Sequence, residues 1–171
     1  MEILFTPWCL AYLTGETGAA GDGCLFCGLH RLADAEGLVV HRGRAVYAVL
    51  NRYPYSSGHV LVAPYAHNGS LAGMSAAERG ELMEVAAAAE VILGEEYRCH
   101  GLNVGLNLGR SAGAGVPGHA HLHVVPRWDG DTNFMTVVGR TRTLPEDLAV
   151  TRERLARGFA RSAASRPEEP A

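Results

Sequence analysis

Three histidines within five residues are the feature of this chain best suited to chemistry. His119, His121 and His123 stand at i, i+2 and i+4, separated by Ala120 and Leu122. This period of two predicts a β-strand with the three imidazoles on one face and the small and apolar residues on the other, whereas a helix would scatter them around its axis. A solvated polar face is the alternative. Because three of the chain's eight histidines fall in this stretch, the pattern favours a functional site.

An imidazole cluster is suited to attack on a phosphoanhydride. A neutral imidazole adds no negative charge to the charged phosphate oxygens, and the phosphoramidate it forms can be hydrolysed or transferred in a second step. The ordinary pKa of histidine is about 6.5, so the neutral form is available near pH 7. One ring nitrogen must be free to attack while the other is held as N–H, for which a backbone carbonyl suffices. Flanking imidazoles can donate to phosphoryl oxygens and to the leaving group.

The order of these residues resembles a known family. Residues 119–125 match H-φ-H-φ-H-φ-φ, which is the signature of the histidine triad proteins. Upstream, Asn51 and Pro54 followed by Gly58-His59 resemble the nucleotide-binding N-x-x-P and G-H-φ-φ-φ segment of the same family. The resemblance covers roughly residues 7 to 148. It implies a nucleotidyl hydrolase or transferase that acts at an α-phosphate.

Two loops indicate the branch of the family. Ser-Ala-Gly-Ala-Gly at 111–115 and Gly-Asp-Thr-Asn-Phe-Met at 130–135 look most like the branch that contains diadenosine tetraphosphate phosphorylases. The chain departs from that pattern at Cys9, where Arg is usual. Shortly before the first histidine, many triad hydrolases carry Gln-Ser or Gln-Thr. This chain has Gly-Val-Pro-Gly there, at 115–118. The branch resemblance favours phosphate over water as acceptor.

The resemblance assigns roles to the histidines. It makes His121 the nucleophile and has His123 contact phosphate oxygens or position the pocket. It makes His119 a structural residue or zinc ligand whose backbone carbonyl orients His121. His59 corresponds to the family histidine that lies beside the triad.

The resemblance also implies a set of nucleotide-binding residues. An amide at Asn51 meets the ribose or base, and Asn107 lies near the phosphates on an alternating strand, with Asn103 a weaker candidate. The Gly-rich loop after that strand can bring a hydroxyl and backbone N–H groups to phosphate oxygens, because little side chain blocks the approach. A solvated strand face and a plain flexible turn are the alternatives. The loop candidates are Ser111, Gly113 and Gly115.

Cys24 and Cys27 form a C-x-x-C pair that indicates either half a zinc site or a redox dithiol. A redox pair needs a thioredoxin-like βαβ context, which the surrounding sequence lacks. A zinc site needs four ligands, and Cys₂His₂ is an ordinary set. His67 and His119 are the candidates for the other two ligands, and the arrangement resembles the structural zinc site of galactose-1-phosphate uridylyltransferases. Metal-free buried thiols are the alternative, and no organic cofactor is expected.

The elements that must position these residues follow from hydrophobic periodicity. Strands are predicted at 38–41, 45–50, 59–65, 101–109 and around the triad, with an edge strand at 133–139. A capping box at Ser75-Ala76-Ala77-Glu78 opens a long helix to about Glu96. The fold class is α+β: an antiparallel sheet of about five strands, the long helix and a C-terminal helix to about Arg161. Residues 1–23 are expected to form an N-terminal arm and flexible loop, 24–161 the triad domain and 162–171 a disordered tail.

Composition excludes several classes of function. All fifteen basic residues are Arg, so a lysine nucleophile or Schiff base is excluded, and a net charge of −3 gives no basic field for nucleic acid. No signal peptide and no apolar run of the ~20 residues that span a bilayer are present, so a cytoplasmic protein without membrane partners is expected. In the cytoplasm, the cysteines of this chain are expected to be reduced or metal-bound and not paired as disulfides. The family resemblance implies a homodimer, with the sheet continued or packed across a two-fold axis.

Four functions remain open from the sequence. The first is cleavage of diadenosine tetraphosphate through a nucleotidyl-histidine, with phosphate or water as acceptor. The second is a nucleoside phosphoramidase or broad AMP-releasing hydrolase that uses the same triad. The third is a catalytically weak nucleotide-binding protein, and the fourth is a plain zinc-binding module.

Overall fold

The computed structural model describes residues 23–131 and 146–165. A five-stranded antiparallel sheet is combined with one long helix and a C-terminal helix, which confirms the predicted α+β class. The strands are β1 (Val39–Arg42), β2 (Val46–Leu50), β3 (Val60–Pro64), β4 (Gly101–Leu106) and β5 (Leu122–Arg127). The helices are α1 (Leu25–Leu29), α2 (Asp34–Gly37), α3 (Ala76–Tyr97) and α4 (Leu148–Ser165), with a 3₁₀ turn at Arg110–Ala112.

The strands lie in the order β1-β2-β3-β5-β4, and each neighbouring pair is antiparallel. All residues of β2 and β3 are buried, which explains why these strands are continuous apolar runs instead of alternating ones. One face of the sheet packs on α3 and α4. The other face packs on α1 and a small cluster around Phe26 and Tyr47. Leu122 and Val124 of the triad strand β5 belong to the core on the side of α3 and α4, the helix-side core.

The long helix α3 begins as its sequence predicts. The Ser75 hydroxyl accepts from the backbone N–H of Glu78 at 3.1 Å, and the Glu78 carboxylate accepts from the backbone N–H of Ser75 at 2.7 Å, so the predicted capping box is confirmed. The helix face toward the sheet is buried at Leu82, Val85, Ala86, Ala89, Ile92 and Leu93. A Cβ at Gly158 of α4 would lie 2.4 Å from Ile92 Cγ2, so this glycine lets the two helices approach closely.

The triad strand starts three residues later than predicted. Pairing of β5 begins at Leu122, not at His119. Before that point the backbone bonds to loops: the His119 N–H donates to Val116 O at 3.2 Å, and the Ala120 N–H donates to Asn68 O at 2.7 Å. The spacing of two residues persists in the extended chain, but Ala120 is bonded to the loop that follows β3, and the His119 N–H to the loop that precedes the triad, instead of to a neighbouring strand.

Strand β4 lies beside the triad strand at an edge of the described sheet, whereas we expected from its alternating residues a central strand in that place. It pairs with β5 on one side, from Gly101 opposite Arg127 to Leu106 opposite Leu122. Its alternation is real, because Leu102 and Leu106 pack against the helix-side core. An alternating pattern is typical of a half-buried strand but does not reveal how many neighbours the strand has.

The remaining differences concern the ends of the chain. Helix α4 continues to Ser165, four residues past its predicted end at Arg161. The predicted arm before residue 23, the strand at 133–139 and the tail from residue 166 lie outside the described residues. Within the described ranges, no helix is both long and apolar enough to cross a membrane.

Candidate active site

The imidazoles of the triad strand lie on the sheet face opposite the two large helices. Leu122 and Val124 join the helix-side core, so the alternation of β5 directs His121 and His123 to the other face. Their ring centroids are 5.0 Å apart. Ala120, predicted to pack on the core, is buried. The pattern of the strand thus brings two of the three predicted histidines into one site.

His121 is held as a nucleophile would need to be held. It is buried, and its Nδ1 donates to the backbone carbonyl of His119 at 2.9 Å. A carbonyl oxygen can only accept, so the proton lies on Nδ1 and the lone pair on Nε2. A neutral imidazole in this tautomer offers Nε2 for attack on an electrophile.

A chain of hydrogen bonds fixes the tautomer of the next two histidines. The backbone N–H of Tyr55 donates to His59 Nδ1 at 3.1 Å, so the proton of His59 lies on Nε2. His59 Nε2 then donates to His123 Nδ1 at 3.0 Å, and the proton of His123 lies on its own Nε2. That buried Nε2 has no hydrogen-bond partner among the described residues. The chain therefore delivers one N–H donor into the site beside His121.

Asn51 supports this chain from within the loop that precedes β3. Its Nδ2 lies 3.3 Å from His59 Nδ1, and its Oδ1 accepts from the backbone N–H of Tyr53 at 3.0 Å. The sequence predicted that the amide meets a ribose or base. In the structure the amide nitrogen lies beside His59 and the amide oxygen accepts from the loop backbone. The prediction did not include this contact with His59.

Burial keeps the three site histidines neutral. Desolvation, with a smaller contribution from the neighbouring imidazoles, lowers the pKa of His59 to about 3 and that of His123 to about 4. Desolvation also lowers the pKa of His121, while the hydrogen bond to the His119 carbonyl acts in the opposite direction. At neutral pH the site presents one free lone pair and one N–H donor without a formal charge.

These pKa values predict a loss of stability in acid. The unfolded chain binds protons on His59 and His123 near pH 6.5, whereas the folded chain binds them only near pH 3 to 4. Stability is therefore fully present above about pH 6.5 and falls as the pH drops toward 4, by up to about 1.4 kcal/mol per pH unit for each histidine. Thermal unfolding followed from pH 7.5 to 4.5 measures this slope.

The control compares two variants. His123→Asn removes one of the two buried titrating groups and should reduce the slope between pH 6.5 and 4.5. His100→Ala removes a histidine that is 53% exposed and paired with Asp129, and should leave most of the slope unchanged. A parent slope that His123→Asn does not reduce would contradict the assignment.

The loop between β4 and the triad brings the predicted phosphate ligands to one end of the sheet. Leu106 and Leu122 are the last paired residues of β4 and β5 at this end of the sheet. Asn107 follows the first and His121 precedes the second, so both lie just beyond the same end of the strand pair. The Gly113 N–H, predicted to face phosphate, instead donates to Arg110 O at 2.9 Å within its turn. Ser111 and Gly115 are exposed on the same loop. Asn103 lies four residues away on β4, and its Oδ1 accepts from Arg127.

Two aromatic residues contact the site histidines without having been predicted. Tyr55 is 49% exposed, and its ring is parallel to that of His123 at 5.9 Å between centroids. Phe26 is fully buried, with its ring centroid 4.6 Å from that of His121. Tyr55 falls in the family-like loop and Phe26 lies between the two cysteines, but neither position carries a periodic signal that points to the triad.

A second cluster lies next to the triad, at Cys24, Cys27, His67 and His119. One ligand atom from each residue lies within 4.8 Å of all the others. His119 Nδ1 is 3.4 Å from Cys24 Sγ and 3.6 Å from Cys27 Sγ, and His67 Nδ1 is 3.4 Å from Cys27 Sγ. A tetrahedral zinc with ordinary Zn–S and Zn–N bonds separates sulfur and nitrogen by about 3.5 Å. The donor set and its spacing are compatible with structural zinc.

The outer contacts of His119 also suit a metal ligand. Its Nε2 lies 2.9 Å from the carbonyl oxygen of Pro64, which only accepts, so the proton lies on Nε2 and the lone pair on Nδ1. Metal-bound histidines commonly donate their second N–H to a carbonyl in this way. His119 therefore serves two sites at once, with its ring in the cluster and its backbone oxygen on His121.

Comparison with protein families and sequences is consistent with this geometry. Residues 33–130 match the model of the HIT domain. The AP-4-A phosphorylase of Mycobacterium tuberculosis is 42% identical over 167 residues, which covers 94% of this chain and 86% of that protein. An uncharacterized HIT-like protein of Saccharolobus solfataricus is 30% identical over 112 residues, 66% of this chain and 79% of that protein.

Solved structures agree at the level of the fold. A zinc-bound histidine triad family protein from Mycobacterium smegmatis superposes with a TM-score of 0.68 at 26% identity, over 84% of this chain and 98% of that one. A hypothetical histidine triad nucleotide-binding protein from Sulfolobus tokodaii superposes with a TM-score of 0.65 at 27% identity, over 81% of this chain and 93% of that one.

Proposed function

The chain belongs to the HIT domain family of histidine triad proteins, and from this membership and the geometry of its site we propose that it is a nucleotidyl transferase. It cleaves dinucleoside polyphosphates, with diadenosine tetraphosphate as the leading substrate, at the α-phosphate. The observation that carries the proposal is the orientation of His121, whose Nδ1 proton is held by the His119 carbonyl, so that Nε2 carries the lone pair. The 42% identity to an AP-4-A phosphorylase supports the choice of substrate.

The first half of the reaction makes a covalent intermediate. Nε2 of His121 attacks the α-phosphorus, an N–P bond forms, and the bridging P–O bond to the rest of the polyphosphate breaks. The electron pair of that bond leaves with the departing nucleoside polyphosphate. The Nε2–H of His123, held in place by the chain from Tyr55 through His59, donates to phosphate oxygens as their charge develops.

The second half transfers the nucleotide to an acceptor. An oxygen of inorganic phosphate attacks the α-phosphorus, the N–P bond breaks, and neutral His121 is restored. With diadenosine tetraphosphate the products are ADP from this step and ATP from the first. If water is the acceptor, the second product is AMP. In the proposal, Asn107 and Ser111 contact the phosphates, and the loop amide at Gly115 is a further donor.

Product analysis tests the choice of acceptor. The protein is incubated with diadenosine tetraphosphate, with and without inorganic phosphate, and the nucleotides are separated by chromatography. ADP plus ATP in amounts that depend on phosphate would support phosphorolysis. AMP plus ATP without phosphate would make the protein a hydrolase. If neither diadenosine tetraphosphate nor a nucleoside phosphoramidate is turned over, the nucleotide-binding function would be favoured.

We also propose that the cluster of Cys24, Cys27, His67 and His119 holds one zinc ion. Four protein ligands leave no open position, so the metal would act as a structural cross-link and not as a Lewis acid. It would join α1, the loop after β3 and the start of the triad segment. Reduced cysteine ligands and a nucleotide substrate suit a cytoplasmic location, which is part of the proposal.

A homodimer is the proposed assembly, and exposed apolar residues support it. Met83 and Val91 are 55% and 58% exposed, two turns apart on α3. Val104 of edge strand β4 is 48% exposed. Its ladder partner Val124 is in the helix-side core, so Val104 and α3 are on the same side of the sheet. A second copy packed across a two-fold axis would cover both and pair the strand edge.

A charge on this surface should prevent dimerisation. In the double variant Met83→Glu, Val91→Glu, four carboxylates would meet across the two-fold axis, so the dissociation constant should rise by at least about 100-fold. Sedimentation velocity over a concentration series measures the change. Val150→Glu alters an exposed valine on α4 and is the matched control. A parent that sediments as a monomer, or a double variant that stays dimeric, would contradict this surface.

A further inference from the structure

Phe26 lies against the reacting imidazole although the proposed mechanism does not use it. Its side chain is 1% exposed. Its ring centroid lies 4.6 Å from that of His121 with the planes 30° apart, and 5.2 Å from that of His119. The ring thus covers one face of His121, while the edge of that imidazole is bonded to the His119 carbonyl.

The covalent step places a positive charge on His121. The neutral imidazole attacks through Nε2 while Nδ1 keeps its proton, so the ring becomes an N-phosphoryl imidazolium until the N–P bond breaks again. The charge is present in both transition states and in the intermediate. Among the described residues, no carboxylate oxygen hydrogen-bonds to His121, and its ring proton is bonded to a neutral carbonyl. That carbonyl stabilises the cation in part, and a group that covers the face of the ring can add to it.

The face of an aromatic ring is such a group. Its quadrupole is negative above and below the plane and attracts a cation within about 6 Å of the centroid, most strongly where water is excluded. We propose that Phe26 is a catalytic residue whose ring face stabilises the cationic imidazole of His121 during nucleotidyl transfer. This inference rests on the proposed function, because it requires the covalent intermediate.

The surroundings of Phe26 hold its ring in place. It lies in the first turn of α1, two residues after Cys24 and one before Cys27, and both cysteines belong to the proposed metal cluster. Its carbonyl oxygen accepts from the Tyr47 hydroxyl at 2.8 Å, and Tyr47 is fully buried in the interior strand β2. A ring fixed from both sides loses little freedom when the charge appears, which is the condition for preorganised electrostatic stabilisation.

Simple packing is the competing explanation, and a series of fluorinated side chains separates the two. Fluorine withdraws electron density from the ring face with little change in shape. The full-length, metal-loaded protein is prepared with 4-fluoro-, 3,5-difluoro- and pentafluorophenylalanine at position 26. The rate of covalent labelling is then measured in single turnovers with diadenosine tetraphosphate that carries ³²P at the α-phosphate. Thermal unfolding is recorded for each protein.

The rate should fall stepwise with each added fluorine, by about 10-fold over the whole series, while the melting temperature changes by no more than a few degrees. The same series at Phe159 is the matched control. That ring is also buried and stacks on a histidine outside the site, His41, at 4.9 Å between centroids. Its fluorination should leave the labelling rate unchanged.

The outcomes distinguish this inference from the proposed function. A labelling rate that stays constant through the series at position 26 would overturn the role of Phe26 and leave the covalent mechanism intact. Equal losses at positions 26 and 159 would also overturn it, because the effect would then be a general one of fluorination. Absence of any label in the unmodified enzyme, during turnover, would refute the covalent mechanism itself.

Discussion

Replacement of His121 by alanine is expected to lower the rate of nucleotidyl transfer by about 10⁴-fold or more, the order of magnitude found when a catalytic nucleophile is removed. The reason is that neither of the other two site histidines, His59 and His123, has a free lone pair. Nδ1 of His123 already accepts from His59, and Nδ1 of His59 accepts from the Tyr55 amide. Their remaining nitrogens carry protons and can only donate. No described neighbour in the histidine cluster can take over the attack.

The measurement combines turnover with covalent labelling. Diadenosine tetraphosphate that carries ³²P at the α-phosphate should label the parent protein and not the His121→Ala variant. His100→Ala serves as the matched control, because that histidine is exposed and bonded to the Asp129 amide at the opposite end of β4. Turnover of His121→Ala at a tenth of the parent rate or above would refute the covalent role of His121.

Replacement of Cys24 by alanine should have the largest effect on stability. The residue is buried, and its thiol lies 3.4 Å from His119 Nδ1. Loss of one of four ligands should reduce zinc content to under about a tenth, and because metal binding contributes directly to folding, unfolding free energy should fall by about 3 kcal/mol or more. For a chain of this size that corresponds to a melting temperature lower by roughly 6–12 °C.

Metal analysis and calorimetry check this prediction together. The parent should contain one zinc per chain, and a strong chelator should reproduce the effect of the substitution. Cys99→Ala is the matched control, since Cys99 is a half-buried thiol outside the cluster. A parent without metal, whose melting temperature does not respond to chelator, would support the alternative of metal-free thiols.

Local patterns in the sequence were sufficient to predict much of the fold. The capping box requires only residues within one turn, so its hydrogen bonds could be predicted from spacing alone. The alternation of β5 likewise predicted that His121 and His123 share a face, because it depends only on the geometry of an extended chain. Both signals are local, and neither requires knowledge of which elements are neighbours.

The errors arose where distant segments decide the outcome. The triad segment pairs first with Asn68 and only from Leu122 onward with strands, and no periodicity in the segment reveals that partner. The edge position of β4 likewise depends on the order of the strands and not on the residues of β4. The prediction that the amide of Asn51 meets the nucleotide stays a prediction, and its contact with His59 is an additional one that the sequence did not reveal.

Phe26 shows the same limit. Cys24 and Cys27, on either side of it in the C-x-x-C pair, carried a recognisable metal signal, so an apolar residue between them was given no role. Its contact with His121 joins positions 95 residues apart and follows from the packing of α1 against the sheet. A buried aromatic residue between metal ligands cannot be assigned to a neighbouring site from the sequence alone.

The hydrogen bond from His121 Nδ1 to the His119 carbonyl has an evolutionary consequence. Every amino acid supplies that carbonyl, so no single substitution at position 119 can delete the acceptor, in contrast to the carboxylate that orients the histidine of a serine protease. The side chain at position 119 can therefore change during evolution without changing which nitrogen of His121 carries the proton. Related proteins can be expected to gain or lose the Cys-Cys-His cluster during descent while they keep the same attacking nitrogen.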